Sequence, residues 1–140
     1  MADTMLEAKR LHPLHAVLLA SALPLFLGAL LTDVAYAQSY EIQWKNLASW
    51  LIAGGLVFSG LALLWALIAL QRDVPRRGLP LVYCLFLLAG WILGFVNALI
   101  HSKDTWASMP EAVILSVIVV AIAGASTWLG LSTLRTGATR

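Results

Sequence analysis

Long stretches of this chain carry no formal charge, and that constrains its fold more than any motif it contains. From Leu14 to Thr32 there is no charged residue. As a helix rising 1.5 Å per residue, that run covers roughly 28 Å, close to the hydrocarbon thickness of a bilayer. Asn46 to Gln71, Leu79 to Ser102 and the run that follows Glu111 to about Leu134 repeat the pattern. Four such runs in 140 residues predict spans at about 13–33, 46–71, 79–101 and 110–134. The expected fold is all-α, an integral membrane four-helix bundle of two helical hairpins, with residues 1–140 forming a single membrane domain.

Composition agrees. The chain is 61% hydrophobic and 11% charged, against about 45–50% and about 25% in soluble domains. The spans leave no room for a separate soluble domain. The formal charge of +2 is spread over helix ends, without the basic patch that nucleic acid would require. Cys84 is the one cysteine and falls within an apolar run, which reads as a buried thiol with no internal disulfide.

The connections carry the polar residues. Thr4-x-x-Glu7 resembles a capping box ahead of Lys9 and Arg10. Pro13 suits the first turn of the first helix, and Pro24 is a candidate kink. Ala35-Tyr36-Ala37 before Gln38 has the small-residue form of a signal-peptide cleavage site. The apolar core before it exceeds the usual range of about 7–15 residues, so the run is read as a retained span. Asp33 to Lys45 is read as a polar, aromatic loop, and Arg72 to Gly78 as a tight turn. Ser108-x-x-Glu111 is read as a capping box for the fourth helix. Lys9, Arg10, Arg72, Arg76, Arg77, Arg135 and Arg140 fall on one side, and only Lys45 and Lys103 on the other. The excess predicts both termini in the cytoplasm of a bacterial inner membrane, with Trp44, Trp50 and Trp106 at the outer interface and Trp65 and Trp128 towards the inner one.

Helices in lipid associate through close packing of small residues. Gly90-x-x-x-Gly94 in the third span and Gly54 and Gly55 in the second are the candidates. Gly90, Gly94, Asn97 and His101 follow one another at intervals of four, three and four, hence on one face. Asn97 either joins helices or, with His101 and Asp33 at similar depth, lines a polar pocket open to the outside. His12 and His15 share one side of the first helix at its other end. Imidazole is a common axial ligand of haem, but a bis-His site needs nitrogens on opposite faces of the iron, which neighbours on one helix cannot supply. His101 lies at the far surface. A zinc site lacks a third ligand near His12 and His15. No catalytic motif is present, neither a phosphate-binding glycine loop nor His-Glu-x-x-His. No formal charge lies mid-span to mark a conduction path.

His12-Pro13-Leu14-His15, Leu23-Pro24, Gly28-Ala29-Leu30 and Asp33 resemble the opening of a bacterial membrane-protein family. So do Trp50-Leu51-Ile52-Ala53-Gly54-Gly55, Asn97 and Trp128-Leu129-Gly130. In order and spacing, from His12 to about Thr136, the chain is similar to the domain of unknown function 2231 family of four-helix membrane proteins. The resemblance implies a membrane partner of electron transfer, since related domains occur joined to cytochrome c-like or Rieske-type modules. This chain departs from the family pattern. Tyr83 and Cys84 stand where a histidine is common, Ala69 replaces an acidic residue, and Gly130-Leu131-Ser132 replaces Gly-Glu-Leu and its following histidine. Those departures remove candidate ligands.

The expectation is therefore a non-enzymatic accessory or binding subunit with no cofactor of its own. Its partners would be the lipid bilayer and either a second copy of itself or a redox membrane protein. The alternatives are an electron-transfer component holding haem b or quinone through His12 or His15 with a partner subunit, and a small carrier or pore lined by Asp33, Asn97 and His101.

Overall fold

The computed structural model describes residues 12–72 and 78–138. Four long helices follow one another: α1 (Pro13–Ser39), α2 (Ile42–Arg72), α3 (Gly78–His101) and α4 (Glu111–Ala138). A 3₁₀ turn, Thr105–Ser108, lies between α3 and α4, and there is no strand among the described residues. All four helices are long and apolar enough to cross a membrane. Thr4-x-x-Glu7 and residues 73–77 of the turn after α2 lie outside the described residues.

α1 packs against α2 and α4, and α3 packs against the same two, so α1 and α3 face each other across the diagonal of the bundle. Burial follows helical spacing. On α1 the inward face is His15, Leu19, Ala22, Phe26, Ala29, Asp33 and Tyr36; on α2 it is Lys45, Ala48, Ile52, Gly55, Ser59, Ala62 and Ala66. Alternating steps of three and four keep one stripe against its neighbours in a bundle. The outward residues are also apolar, among them Val17, Leu31, Val57, Leu64, Leu79, Leu85 and Ile114. A helix that is apolar all round fits a lipid surround.

Small residues let the backbones approach. Phe26, near the centre, lies over Gly55 of α2 and Gly94 of α3. A Cβ at Gly55 would come within 2.7 Å of the Phe26 ring, closer than carbon atoms tolerate. Gly54 faces Leu25 of α1. Gly90-x-x-x-Gly94 does not form one seam: Gly90 faces Ile122 of α4, whereas Gly94 faces Leu56 of α2 and Phe26. Four residues turn a helix by about 400°, so the second glycine is displaced around α3 towards the other neighbour.

Two local expectations are corrected. The stretch from Asp33 to Lys45 is not a loop, because α1 continues to Ser39 and α2 begins at Ile42. The reversal is made at Tyr40, which is left-handed at φ 57° and donates its N–H to Tyr36 O at 2.7 Å. Such a left-handed residue is a common helix stop. Ala35-Tyr36-Ala37 thus lies within α1, with Tyr36 buried. Likewise, Ser108-x-x-Glu111 does not cap α4 as a box. Met109 is extended, as expected before a proline, so α4 starts at Glu111 and that carboxylate faces Lys103 Nζ at 3.5 Å. At the other end of the chain Pro13 occupies the first turn, and His12 Nδ1 accepts the Leu14 N–H. α1 runs on through Pro24.

Gly55→Ala is expected to lower stability by about 1–3 kcal/mol through overpacking against Phe26. Gly124→Ala, where a Cβ meets nothing within 4 Å, should be neutral or gain up to about 1 kcal/mol of helix propensity. Thermal denaturation of both variants in detergent checks the difference.

Candidate functional site

The densest polar cluster among the described residues lies where α1, α3 and α4 meet. Asp33 comes from α1, Asn97 and His101 from successive turns of α3, and Ser116 from the second turn of α4. All four are buried, Asp33 completely. Asp33 Oδ1 is 2.7 Å from His101 Nε2, and Asp33 Oδ2 accepts the Ser116 hydroxyl at 2.5 Å. Asn97 Nδ2 donates to Ser116 Oγ at 2.8 Å, and His101 Nδ1 donates to the Asn97 carbonyl at 2.9 Å. The circuit therefore begins and ends on Asn97. Its Oδ1 is the one atom in it without a hydrogen-bond partner among the described residues.

The stripe on α3 and the depth of Asp33 predict that Asp33, Asn97 and His101 lie near one another, and the structure brings them into one network. They form a closed contact and not a pocket open to the outside. Sequence reasoning missed Ser116, because a serine in an apolar helix usually bonds its own backbone; Ser126 does so, donating to Ile122 O. It also missed Lys45, which is buried and whose Nζ donates to Lys103 O at 2.6 Å, just beyond the end of α3. The last carbonyls of a helix lack partners and carry its negative pole. Lys103 O lies two residues past α3, so the ammonium from α2 takes a carbonyl of the connection close to that negative pole, with no carboxylate within 4 Å among the described residues.

The two other histidines lie at the opposite end. His15 is buried, and its Nε2 is hydrogen-bonded to the Tyr83 hydroxyl of α3 at 2.8 Å. Trp65 of α2 covers both rings, 4.8 Å from His12 and 6.3 Å from His15 between centroids. His15 Nδ1 has no partner among the described residues. Asp33 follows His15 by eighteen residues, as His101 follows Tyr83. Eighteen residues are five helical turns, about 27 Å. Two polar bonds thus cross the same α1–α3 diagonal near its two ends.

These positions limit the chemistry. In a nucleophilic triad the imidazole stands between hydroxyl and carboxylate and takes the hydroxyl proton. Here the carboxylate stands in the middle, and Ser116 donates to Asp33 instead of His101. Both His101 nitrogens are engaged. His12 and His15 lie on one helix, and the third histidine is five turns further along the bundle, so this chain alone does not fit a bis-His haem. No group of three His, Cys, Asp or Glu side chains placed to hold a metal occurs among the described residues. A cavity of about 20 Å³ lies mid-bundle between Leu19, Phe26, Ser59, Gly90, Trp91 and Val119, large enough for one water.

Four apolar helices around a buried acid–histidine–serine–asparagine network define a small polytopic membrane protein. The chain matches the family described as predicted membrane protein, domain of unknown function 2231, over residues 11–136, and it belongs to that family. No curated protein and no solved structure matches it.

Ser116→Ala removes the donor to Asp33 Oδ2 and the acceptor for Asn97 Nδ2. It is expected to cost about 1–3 kcal/mol, measured by thermal or denaturant titration in micelles. Ser126→Ala, which loses only a bond to its own helix, should remain close to the parent.

Proposed function

We propose that this chain is a non-enzymatic accessory or binding subunit of the bacterial inner membrane, with both termini in the cytoplasm. The observation that carries the reading is the closed state of the Asp33–His101–Ser116–Asn97 network. The side chains able to do acid–base chemistry are engaged with one another, and the hydroxyl is held by the carboxylate and not by the base. A site for turnover needs a base in contact with its nucleophile and room for a reacting atom. The remaining surface is mostly apolar side chains, suited to lipid and to another membrane helix. The family's fused relatives favour a redox membrane protein as the partner; a second copy of this chain is the other candidate. The charge excess on the cytoplasmic side supports the orientation.

A second reading has one observation in its favour. His15 Nδ1 is buried and unpartnered among the described residues, so it is the nitrogen that could meet a quinone or a haem b shared with a partner subunit. For a carrier or pore, the candidate lining residues Asp33, Asn97 and His101 bond to one another across the space a solute would need.

The purified protein in mild detergent is expected to give a flat reduced-minus-oxidised absorption spectrum. Near-stoichiometric haem lost on substituting His12 and His15 by alanine would replace the accessory reading with the redox one. Reporter fusions after residues 40, 77, 106 and 140 are expected to read outside, inside, outside and inside. A reversal at any of them breaks the orientation.

A further inference from the structure

Hydrogen-bond direction can be assigned atom by atom around the buried network, because some of its members act in one sense only. The Asn97 carbonyl can only accept, so His101 Nδ1 carries a hydrogen. The Asn97 amide nitrogen can only donate, so Ser116 Oγ receives that bond and turns its own hydrogen to Asp33 Oδ2. One contact is left, Asp33 Oδ1 to His101 Nε2 at 2.7 Å. With no proton there, a carboxylate lone pair faces an imidazole lone pair. With two, N–H faces O–H, or a proton on Oδ2 meets the one from Ser116. A single proton satisfies both atoms, and the pair then has no net charge whichever atom holds it. That is the least costly state for ionisable groups shielded from water.

We infer that the Asp33–His101–Ser116–Asn97 network is a binding site for one proton, held between Asp33 and His101 as a condition of the closed bundle. The other titratable groups on this side are Lys45 of α2, whose ammonium is held on Lys103 O, and Tyr36, three residues along the same buried face of α1. α4 contributes the Ser116 hydroxyl. Lys103 and Glu111 pair with each other at the exposed surface.

The sign of the pH dependence follows from counting protons. When the helices are separated, the carboxyl titrates at about 3.9 and the imidazole at about 6.5. Between those values the separated groups also hold one proton in total. Above about pH 6.5 they hold none while the closed network holds one, so stability falls as pH rises. The folding equilibrium changes by up to tenfold per pH unit until the folded state releases its proton. Asp33→Asn reverses the count. Its amide N–H can donate to Nε2 of a neutral imidazole and its amide oxygen can accept from Ser116, so every bond is kept with no shared proton. That variant should hold its stability from pH 7 to 9, and lose it below about pH 6.5, where the separated His101 binds a proton that the closed site refuses.

The experiment compares melting temperatures of the full-length chain and Asp33→Asn in the same detergent from pH 5 to 9. His12, His15 and Lys45 are common to both and cancel in the difference. A parent that declines between pH 7 and 9 beside a level Asp33→Asn supports the proton site; parallel curves overturn it. If Asp33→Asn does not fold, the parent alone decides, from the ¹⁵N shifts of His101 and the ¹³Cγ shift of Asp33 at pH 8. An imidazolium facing a carboxylate, or an Nδ1–H imidazole facing a carboxylic acid, supports one bound proton. A neutral imidazole facing an ionised carboxylate overturns it.

Discussion

The bond between Asp33 and His101 joins the two helices of this bundle that otherwise face each other only across its diagonal. Neighbouring helices in the ring have small residues and interdigitating side chains along their length, as at Phe26 over Gly55. α1 and α3 have the width of the bundle between them, and side chains reach across it, Phe26 towards Gly94 by packing and Asp33 to His101 by a polar bond. A second bond, His15 to Tyr83, does the same near the other end. The residue offset is identical in the two pairs. Parallel helices keep a constant offset only if neither slides relative to the other, so the two contacts together fix a common level for α1 and α3. One contact alone would fix a point and leave the rest of the register to apolar packing.

Register has to be fixed this way because of the solvent. In lipid, an apolar side chain gains little by turning inward, and helix contacts rely on packing, small residues and polar bonds. Leu and Val on the outer faces of these helices are interchangeable with those inside by hydrophobicity alone. A carboxylate is not. Turning α1 to put Asp33 against hydrocarbon would leave an uncompensated ionisable group there, whereas the observed rotation gives each of its oxygens a partner. The polar residues therefore decide which face of an all-round apolar helix points inward, and the glycines and alanines then set how closely it can approach.

The same division of labour between polar and small residues governs what is legible in the sequence. The four spans can be read directly, because a charge-free run of bilayer length suits a membrane and little else. The inward face of α3 is also readable, since Asn97 and His101 are the polar residues late in an apolar run and their spacing puts them together. The partner on α4 is not. Ser116 is one hydroxyl residue among several there, and nothing local separates it from Ser126, which bonds to its own helix. The mistaken loop between α1 and α2 comes from treating polarity as a sign of irregular backbone. Tyr36 and Lys45 are instead parts of helices longer than the hydrocarbon is thick, and both point inward. Tyr83 registers in the sequence only as a missing histidine, although its hydroxyl supplies the bond that holds His15.

Each end of the diagonal keeps one buried polar atom without a hydrogen-bond partner among the described residues, Asn97 Oδ1 at one and His15 Nδ1 at the other, and the two differ in how the groups around it are held. At the Asp33 end both carboxylate oxygens and both His101 nitrogens have partners from three helices, and Lys45 covers the terminus of α3 from the fourth. A ligand for the carboxylate or the imidazole would have to break one of those bonds, and Asn97 Oδ1 is the atom of the network that has no partner among the described residues. At the His15 end the imidazole spends one nitrogen on Tyr83 and keeps the other, beneath a tryptophan and beside a second histidine at the start of α1. A ligand reaching that nitrogen would break no hydrogen bond among the described residues, but it would have to move the side chains that bury the ring. Both ends therefore hold α1 and α3 in register through bonds that are made, and each leaves a single polar atom buried beside them, on an amide at one end and on an imidazole at the other.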